Sequence, residues 1–468
     1  MSDEQRSRWG PYTFPEGREP NRSDSAFLAR HLGPPANILA LALNLNDLLS
    51  RAWAGIYKRV PRMKPLARAA LLSLMCACAS QNYSAKKAHQ YYRDGDYASA
   101  AEEFEREAKD AKANRVLYLL DAGMSRFRLR EYREAIVHFL AAEKESEIKD
   151  YTSVSEEVGT LLSSGNVRGY KGEDFEKLLI NVYLMLSYSA LGEFDEARVE
   201  ARKVNLLLTR MIHDGKRNYS EWPLARYFSG MLWEYDHSYD NAYIEYKKVY
   251  ELDPNFPGIE TQLIAMARKN GDSEGLRKWT KLFPAAPARR ITRDSKEWVV
   301  VYESGRIPGK VMRGEDPSLP MIPHSSSPEA GFRLKVDGAS YECRDRVMDL
   351  AKMSRNYLED RIVRMKLAKI AGTVAKFAVA QAVSSASDNE SLGLLTYIVL
   401  LAFDQADLRS WTSLPHDLYM CRFDRVPDAG PVEVEILGSQ NTVLRTVTKT
   451  WQPTANPRSP AQLWVFSQ

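Results

Sequence analysis

The sequence predicts a mainly α-helical chain with a smaller β part: a solenoid of helix pairs, then an antiparallel β-sandwich split by an apolar helical insertion. Three observations predict it. Glycine, aromatic and alanine positions recur between residues 81 and 284, short runs after Pro284 alternate with a period of two, and an apolar segment of helical length separates those runs. Composition agrees: 44% apolar and 27% charged residues in a chain of 468 suit several buried cores and two to four domains. The 65 basic and 61 acidic side chains are interleaved and leave a net charge of +4, which excludes the basic stripe of a nucleic-acid binder. No apolar run reaches the roughly 18 residues that a membrane-spanning helix needs.

Residues 1–62 read as a polar tail followed by one amphipathic helix over 37–59, with Ile38, Leu41, Leu45, Leu48, Leu49 and Trp53 on its apolar side. Residues 63–77 have the layout of a secretory signal: Met63, the cations Lys64 and Arg68, a short apolar run, then small residues. They resemble a bacterial lipoprotein signal, in which the cysteine after a small residue receives the lipid. Cys78 follows Ala77 and is the expected lipidation site, whereas Cys76 follows the bulky Met75. Ala79, in place of aspartate, implies by the same resemblance the periplasmic face of the bacterial outer membrane. A signal works only at the start of a chain, so this reading makes Met63 the true start and residues 1–62 a mis-called one. The alternative is a helix with two core cysteines.

Residues 78–290 carry the repeats. A small residue where two helices cross, an aromatic at the turn, an alanine and an apolar plug define a tetratricopeptide-like unit. Gly95, Tyr97, Ala100 and Phe104 form the first; Gly123, Tyr132, Ala135, Phe139 and Ala142 the second; Tyr188, Gly192, Phe194 and Ala197 the third. Gly230, Trp233, Tyr239, Ala242, Tyr246 and Pro254 form the fourth, and Gly271, Asp272 and Trp279 a degenerate fifth that ends at Pro284. The polar stretch 154–170 widens the third interval and is expected to hold an extra short helix and a loop. In such arrays the first helix of each pair lines the concave face. That places His89, Tyr92 and Arg93, then Met124, Phe127 and Arg128, then Tyr227, Met231, Glu234 and Tyr235 in an expected partner-binding groove. The other reading of the same residues is packing of one repeat on the next, or a seat for the helical insertion.

The sandwich is assigned to 291–343 and 411–468. Trp298–Tyr302 is a continuous β-branched and aromatic run, and Phe332, Leu334 and Val336 alternate with basic residues. Leu418–Phe423 is another strand, Val432–Ile436 and Val443–Thr448 form a hairpin, and Leu463–Phe466 is the last strand. The proline-rich stretch 305–328 is expected to cross the surface as extended chain. The insertion, 344–410, reads as two helices broken at 384–390 and buried on both sides, with a membrane-contacting or partner-contacting hairpin as the alternative.

The signal, the irregular repeats and the split β-domain together resemble a group of poorly characterised bacterial tetratricopeptide-containing lipoproteins. Two stretches carry the resemblance: Tyr170-Lys-Gly-Glu-Asp-Phe-Glu176 leading into Tyr188, Gly192 and Ala197–Arg202, and Asp404–Trp411 followed by Leu414-Pro415. The resemblance covers about residues 63–468. It implies location and architecture more than chemistry, and some members are encoded beside proteins that resemble activators of peptidoglycan synthases, which hints at partners.

Chemistry is sparse in the sequence. Cysteine spacing fits no zinc site, phosphate-binding glycine loops and HExxH are absent, and no cofactor or metal is expected. Ser84 with Lys87 and Ser387-Asp388-Asn389 match two motifs of penicillin-binding enzymes, but Lys-Thr-Gly is missing. His213, His237 and His416 read as surface or packing residues, and Glu173, Asp174 and Glu176 as a solvated helix start with a salt bridge to Arg198 or Arg202 as an option. With Cys76 removed alongside the signal and Cys78 acylated, Cys343 and Cys421 are the thiols left, and an oxidising compartment would pair them. Two buried free thiols are the alternative. The expected function is a non-catalytic, lipid-anchored envelope scaffold whose array binds another envelope protein. A periplasmic regulator of peptidoglycan synthesis and an enzyme with an unrecognised site in the β-domain stand as alternatives.

Overall fold

The computed structural model describes residues 85–110, 113–151, 169–213, 222–287, 296–387, 389–402, 406–453 and 461–467, with the single positions 289 and 291. The amino-terminal tail and helix, the signal over 63–77, Cys78, Ser84 and most of the polar stretch before Tyr170 lie outside the described residues. The chain divides into two compact units, one of 79–376 with 399–468 and another that includes Phe377–Ile398.

Five consecutive helix pairs build the array: α1 (Lys86–Asp94) with α2 (Tyr97–Asp110), α3 (Arg115–Arg128) with α4 (Tyr132–Tyr151), α5 (Asp174–Leu191) with α6 (Phe194–His213), α7 (Pro223–Tyr235) with α8 (Tyr239–Leu252), and α9 (Ile259–Lys269) with α10 (Ser273–Leu282). Each pair turns through a left-handed residue two positions before its second helix: Gly95, Arg130, Gly192, His237 and Gly271. The small residues expected at helix crossings are there for contact. A Cβ on Gly123 would lie 2.6 Å from the Phe139 ring, and one on Gly230 would lie 2.7 Å from Tyr246. The aromatic plugs Phe104, Phe139 and Tyr246 are fully buried. A repeated small–large pair therefore fixes how closely each second helix approaches its first.

Two four-stranded sheets follow. The first has the order β10 (Ala461–Ser467), β1 (Glu297–Ser304), β7 (Asp417–Phe423) and β6 (Arg346–Asp349). The second has β5 (Ala339–Cys343), β4 (Glu329–Val336), β8 (Gly430–Gly438) and β9 (Val443–Trp451). β2 (Val311–Met312) and β3 (Pro320–Met321) form a short ladder within the proline-rich stretch. Strand pairs are antiparallel except β1 with β10, which run parallel.

β1 explains the architecture. It is buried along its whole length because alternate side chains enter two cores. Trp298, Val300 and Tyr302 pack with Phe332, Val434 and Trp451 between the sheets, while Val299 and Val301 join the core of the helical array. The first sheet is thus a middle layer between the repeats and the second sheet.

Two expectations for the insertion change. Residues 346–349 pair with β7 as an edge strand, so the long helix α11 (Leu350–Ser387) begins at Leu350 and not near 344. Nor is the apolar hairpin buried on both sides. Leu358 and Ile362 of α11 pack on Leu319 and Ile322, but Val363 and Val374 are exposed. In the smaller unit Phe377 of α11 and Leu392 of α12 (Glu390–Ala402) are exposed too, while Phe377 meets Tyr397 edge-on.

Candidate functional site

The candidate site is the concave face of the array, and the first sheet lies on it. β1 carries a carboxylate at each end on the same side as Val299 and Val301: Glu297 and Glu303, six residues or about 20 Å apart. Both are buried, and each meets a different cluster of charge from the repeats.

At the Glu303 end, Tyr183 of α5 donates to Oε1 at 2.6 Å and the Arg128 guanidinium lies 3.2 Å from Oε2. Burial pushes the Glu303 carboxyl up, and Arg128 and Tyr183 only partly offset it. At the Glu297 end the pairing is denser. Arg422 of β7 donates to Glu297 at 2.6 and 2.9 Å, to Glu234 at 3.1 Å and to the Tyr246 hydroxyl at 3.0 Å. Arg289 pairs with both glutamates, and Tyr235 donates to Glu297 at 3.0 Å. Burial alone would raise Glu234, but Arg422 and Arg289 outweigh it and hold the carboxyl at about 2.

The residues expected in an open groove are therefore mostly occupied. Met124, Phe127, Tyr227 and Met231 are buried, Arg128, Glu234 and Tyr235 are in the clusters just described, and Tyr92 donates to the Ser413 carbonyl at 3.0 Å. His89 is half-buried, 3.9 Å from Asp121, with burial lowering its pKa. Arg93 alone of the ten is exposed. Among the described residues of this unit, the occupant is the chain's own first sheet and the 406–416 segment. A cavity of about 300 Å³ remains at the array's far end, lined by Tyr227, Glu260, Gln262, Arg289, Asp345 and Arg422.

The two stretches that carried the family resemblance meet in space. Glu176 accepts from the Tyr170 hydroxyl at 2.6 Å and from the Trp411 backbone at 2.7 Å. Arg409 lies over the Tyr170 ring and donates to Asn114 at 3.0 Å. Glu173 pairs with Lys310 and Arg361, and although burial opposes ionisation these cations hold its carboxyl at about 2. The acidic cluster is not a solvated helix start, because Glu173 and Glu176 are buried, and Arg198 pairs instead with Asp195 and Asp236. Apart from Tyr170, local sequence gave no warning of these partners, since Lys310, Arg361 and Trp411 come from 137 to 235 residues away.

Cys343 of β5 and Cys421 of β7 are joined, with Cα atoms 5.8 Å apart, which ties the two sheets together one residue before Arg422. Of the two readings of His416, surface or packing, the structure has the buried one, between Asp417 and Ser325.

No family model matches this chain, and no curated protein matches it. Among solved structures, MamA aligns over 42% of this chain and 90% of its own at 15% identity and a TM-score of 0.29. A tetratricopeptide repeat protein from Parabacteroides merdae aligns over 43% and 65% at 16% identity and 0.29. A Podosopora anserina kinesin light chain protein with nearly identical repeats aligns over 48% and 97% at 15% identity and 0.30. Scores at this level carry no argument, and the assignment of a tetratricopeptide-like array rests on the helix pairs and their crossings described above.

Proposed function

We propose that this chain is an interaction scaffold of the bacterial envelope, lipid-anchored through Cys78, that holds another envelope protein on the outer side of its array. The observation that carries the scaffold reading is a repeated exposure. Val137, Val199 and Ile244 sit five residues after the first residue of α4, α6 and α8, and they are 64, 48 and 53% exposed. A branched aliphatic at the same outward position in three consecutive units is a periodic apolar seam on the second helices, available because the concave side is filled. It suits an amphipathic segment with matching apolar spacing.

Compartment is supported by the Cys343–Cys421 bond, since structural disulfides persist where the surroundings are oxidising. A regulator of peptidoglycan synthesis is one target class within this reading and rests on the resemblance alone.

The test has two arms. Expressed from Met63 in cells fed labelled palmitate, the protein should take up label, and Cys78→Ser should abolish it; label lost only in Cys76→Ser would move the anchor. A photocrosslinker at position 199 should give one discrete adduct that Val137→Asp with Ile244→Asp removes. An adduct that survives those changes would reject the outer seam.

A further inference from the structure

Ser325, His416 and Asp417 stand in a hydrogen-bonded line in the β-domain, independent of the scaffold reading. His416 Nδ1 lies 2.8 Å from Asp417 Oδ2, and Nε2 lies 3.0 Å from Ser325 Oγ. An ionised carboxylate can only accept, so the proton of the neutral ring sits on Nδ1 and the lone pair of Nε2 faces the serine hydroxyl. His416 and Asp417 are buried, while Ser325 is half-buried and reachable from solvent. We infer that these three residues form a nucleophile–base–carboxylate triad able to cleave carboxylic esters through a Ser325 acyl intermediate.

The fold holds the base firmly. The His416 backbone donates to Ser304 at 2.8 Å and accepts from Leu350 at 2.9 Å, which pins it between the end of β1 and the start of α11. A Cβ on Gly305, whose φ is +58°, would come 3.1 Å from His416 Cβ, so glycine there leaves room for the imidazole. The serine segment is fixed beside it by Ser304 bonding to Ser327 at 3.1 Å and by the Glu329 amide donating to Ser327 at 3.2 Å.

The same histidine has a rival use. Asp349, His416 and Asp417 each bring a ligand-type atom within 4.8 Å of the others. Against a cation there, Arg346 already faces Asp349 at 3.5 Å and Asp417 at 3.4 Å, and both His416 nitrogens have partners. The hydrogen-bonded line is the arrangement these distances favour.

In the reaction, Ser325 Oγ attacks the ester carbonyl carbon as its proton passes to His416 Nε2. The carbon–oxygen bond to the alcohol breaks, and the alkoxide leaves with that proton. Water then attacks the acyl carbon, gives one proton to Nε2, and releases the carboxylic acid as Ser325 regains its proton; Asp417 steadies the imidazolium in both halves. Esters with good leaving groups fit best, since the departing alkoxide asks little of the acid.

The test is labelling of the purified chain with a fluorophosphonate, read by intact mass and peptide mapping. One adduct on Ser325 is expected, absent in Ser325→Ala, slowed about 100-fold in His416→Ala, slowed less in Asp417→Asn, and unchanged in Ser326→Ala. A burst of one equivalent of p-nitrophenol from p-nitrophenyl acetate should vanish with Ser325→Ala, a small change at a half-buried site. No adduct on wild-type protein with an intact disulfide and helical signal would overturn the proposal, as would an adduct that persists in Ser325→Ala. One equivalent of divalent metal, bound by wild type and lost in Asp349→Ala, would reassign the cluster to a cation.

Discussion

The two ends of β1 bury the same side chain against the same array, yet the charge gathered around each differs. Glu303 has one cation and one phenol, and burial wins; Glu297 shares two guanidinium groups with Glu234, and the carboxyl of Glu234 is held far below its ordinary range. The desolvation of a buried charge is repaid only where enough opposite charge and enough donors converge. The Glu297 end therefore carries the denser ionic network, reinforced by the neighbouring disulfide.

The largest expected effect comes from the disulfide, which closes a loop of 78 residues. Cys343→Ala with Cys421→Ala should lower unfolding stability by about 4 kcal/mol on a chain-entropy basis, read by urea titration. Next is a contrast between arginines. Arg422→Met leaves Glu234 and Glu297 sharing the cation of Arg289 and should cost about 3 kcal/mol. Arg128→Met should cost less, about 1 kcal/mol, because Glu303 meets a single cation and keeps the Tyr183 hydroxyl. Equal losses would remove the asymmetry.

Acid titration sharpens the same contrast. Glu173 and Glu234 are depressed in the folded chain to about 2, against an unfolded value of about 4.3. Their contribution is present above about pH 4.3 and disappears as pH falls towards 2. Glu303 is raised, so folding takes up its proton more readily, and its term grows more favourable as pH falls towards about 4.3. Glu234→Gln should flatten the acid loss, and Glu303→Gln should remove the gain just above it. The smallest effect is expected at the outer seam, where Val199→Asp should change stability by no more than about 0.5 kcal/mol.

Much of the fold was legible because its signals are local. Gly230 with Tyr246, and Gly123 with Phe139, are a missing side chain and the ring that needs its space, and both can be read within one unit. The strand run Trp298–Tyr302 was equally clear. The filled concave face was not, since what covers it lies 62 to 321 residues away in the chain. One clue was present: Glu297 and Glu303 have the same strand parity as Val299 and Val301, so a buried strand had to carry both carboxylates into one core. The hydrogen bond between His416 and Ser325 was not legible for a similar reason, as the serine lies 91 residues upstream in an irregular segment.

The central claim is that the sheet closes the array through buried charge, and a double-mutant cycle tests it most directly. Glu234 lies on α7 and Arg422 on β7, 188 residues apart in sequence and 3.1 Å apart in space. Urea unfolding of wild type, Glu234→Gln, Arg422→Met and the double variant should give a coupling energy of about 2 kcal/mol. Additive losses, with coupling below about 0.5 kcal/mol, would contradict a sheet seated on the concave face.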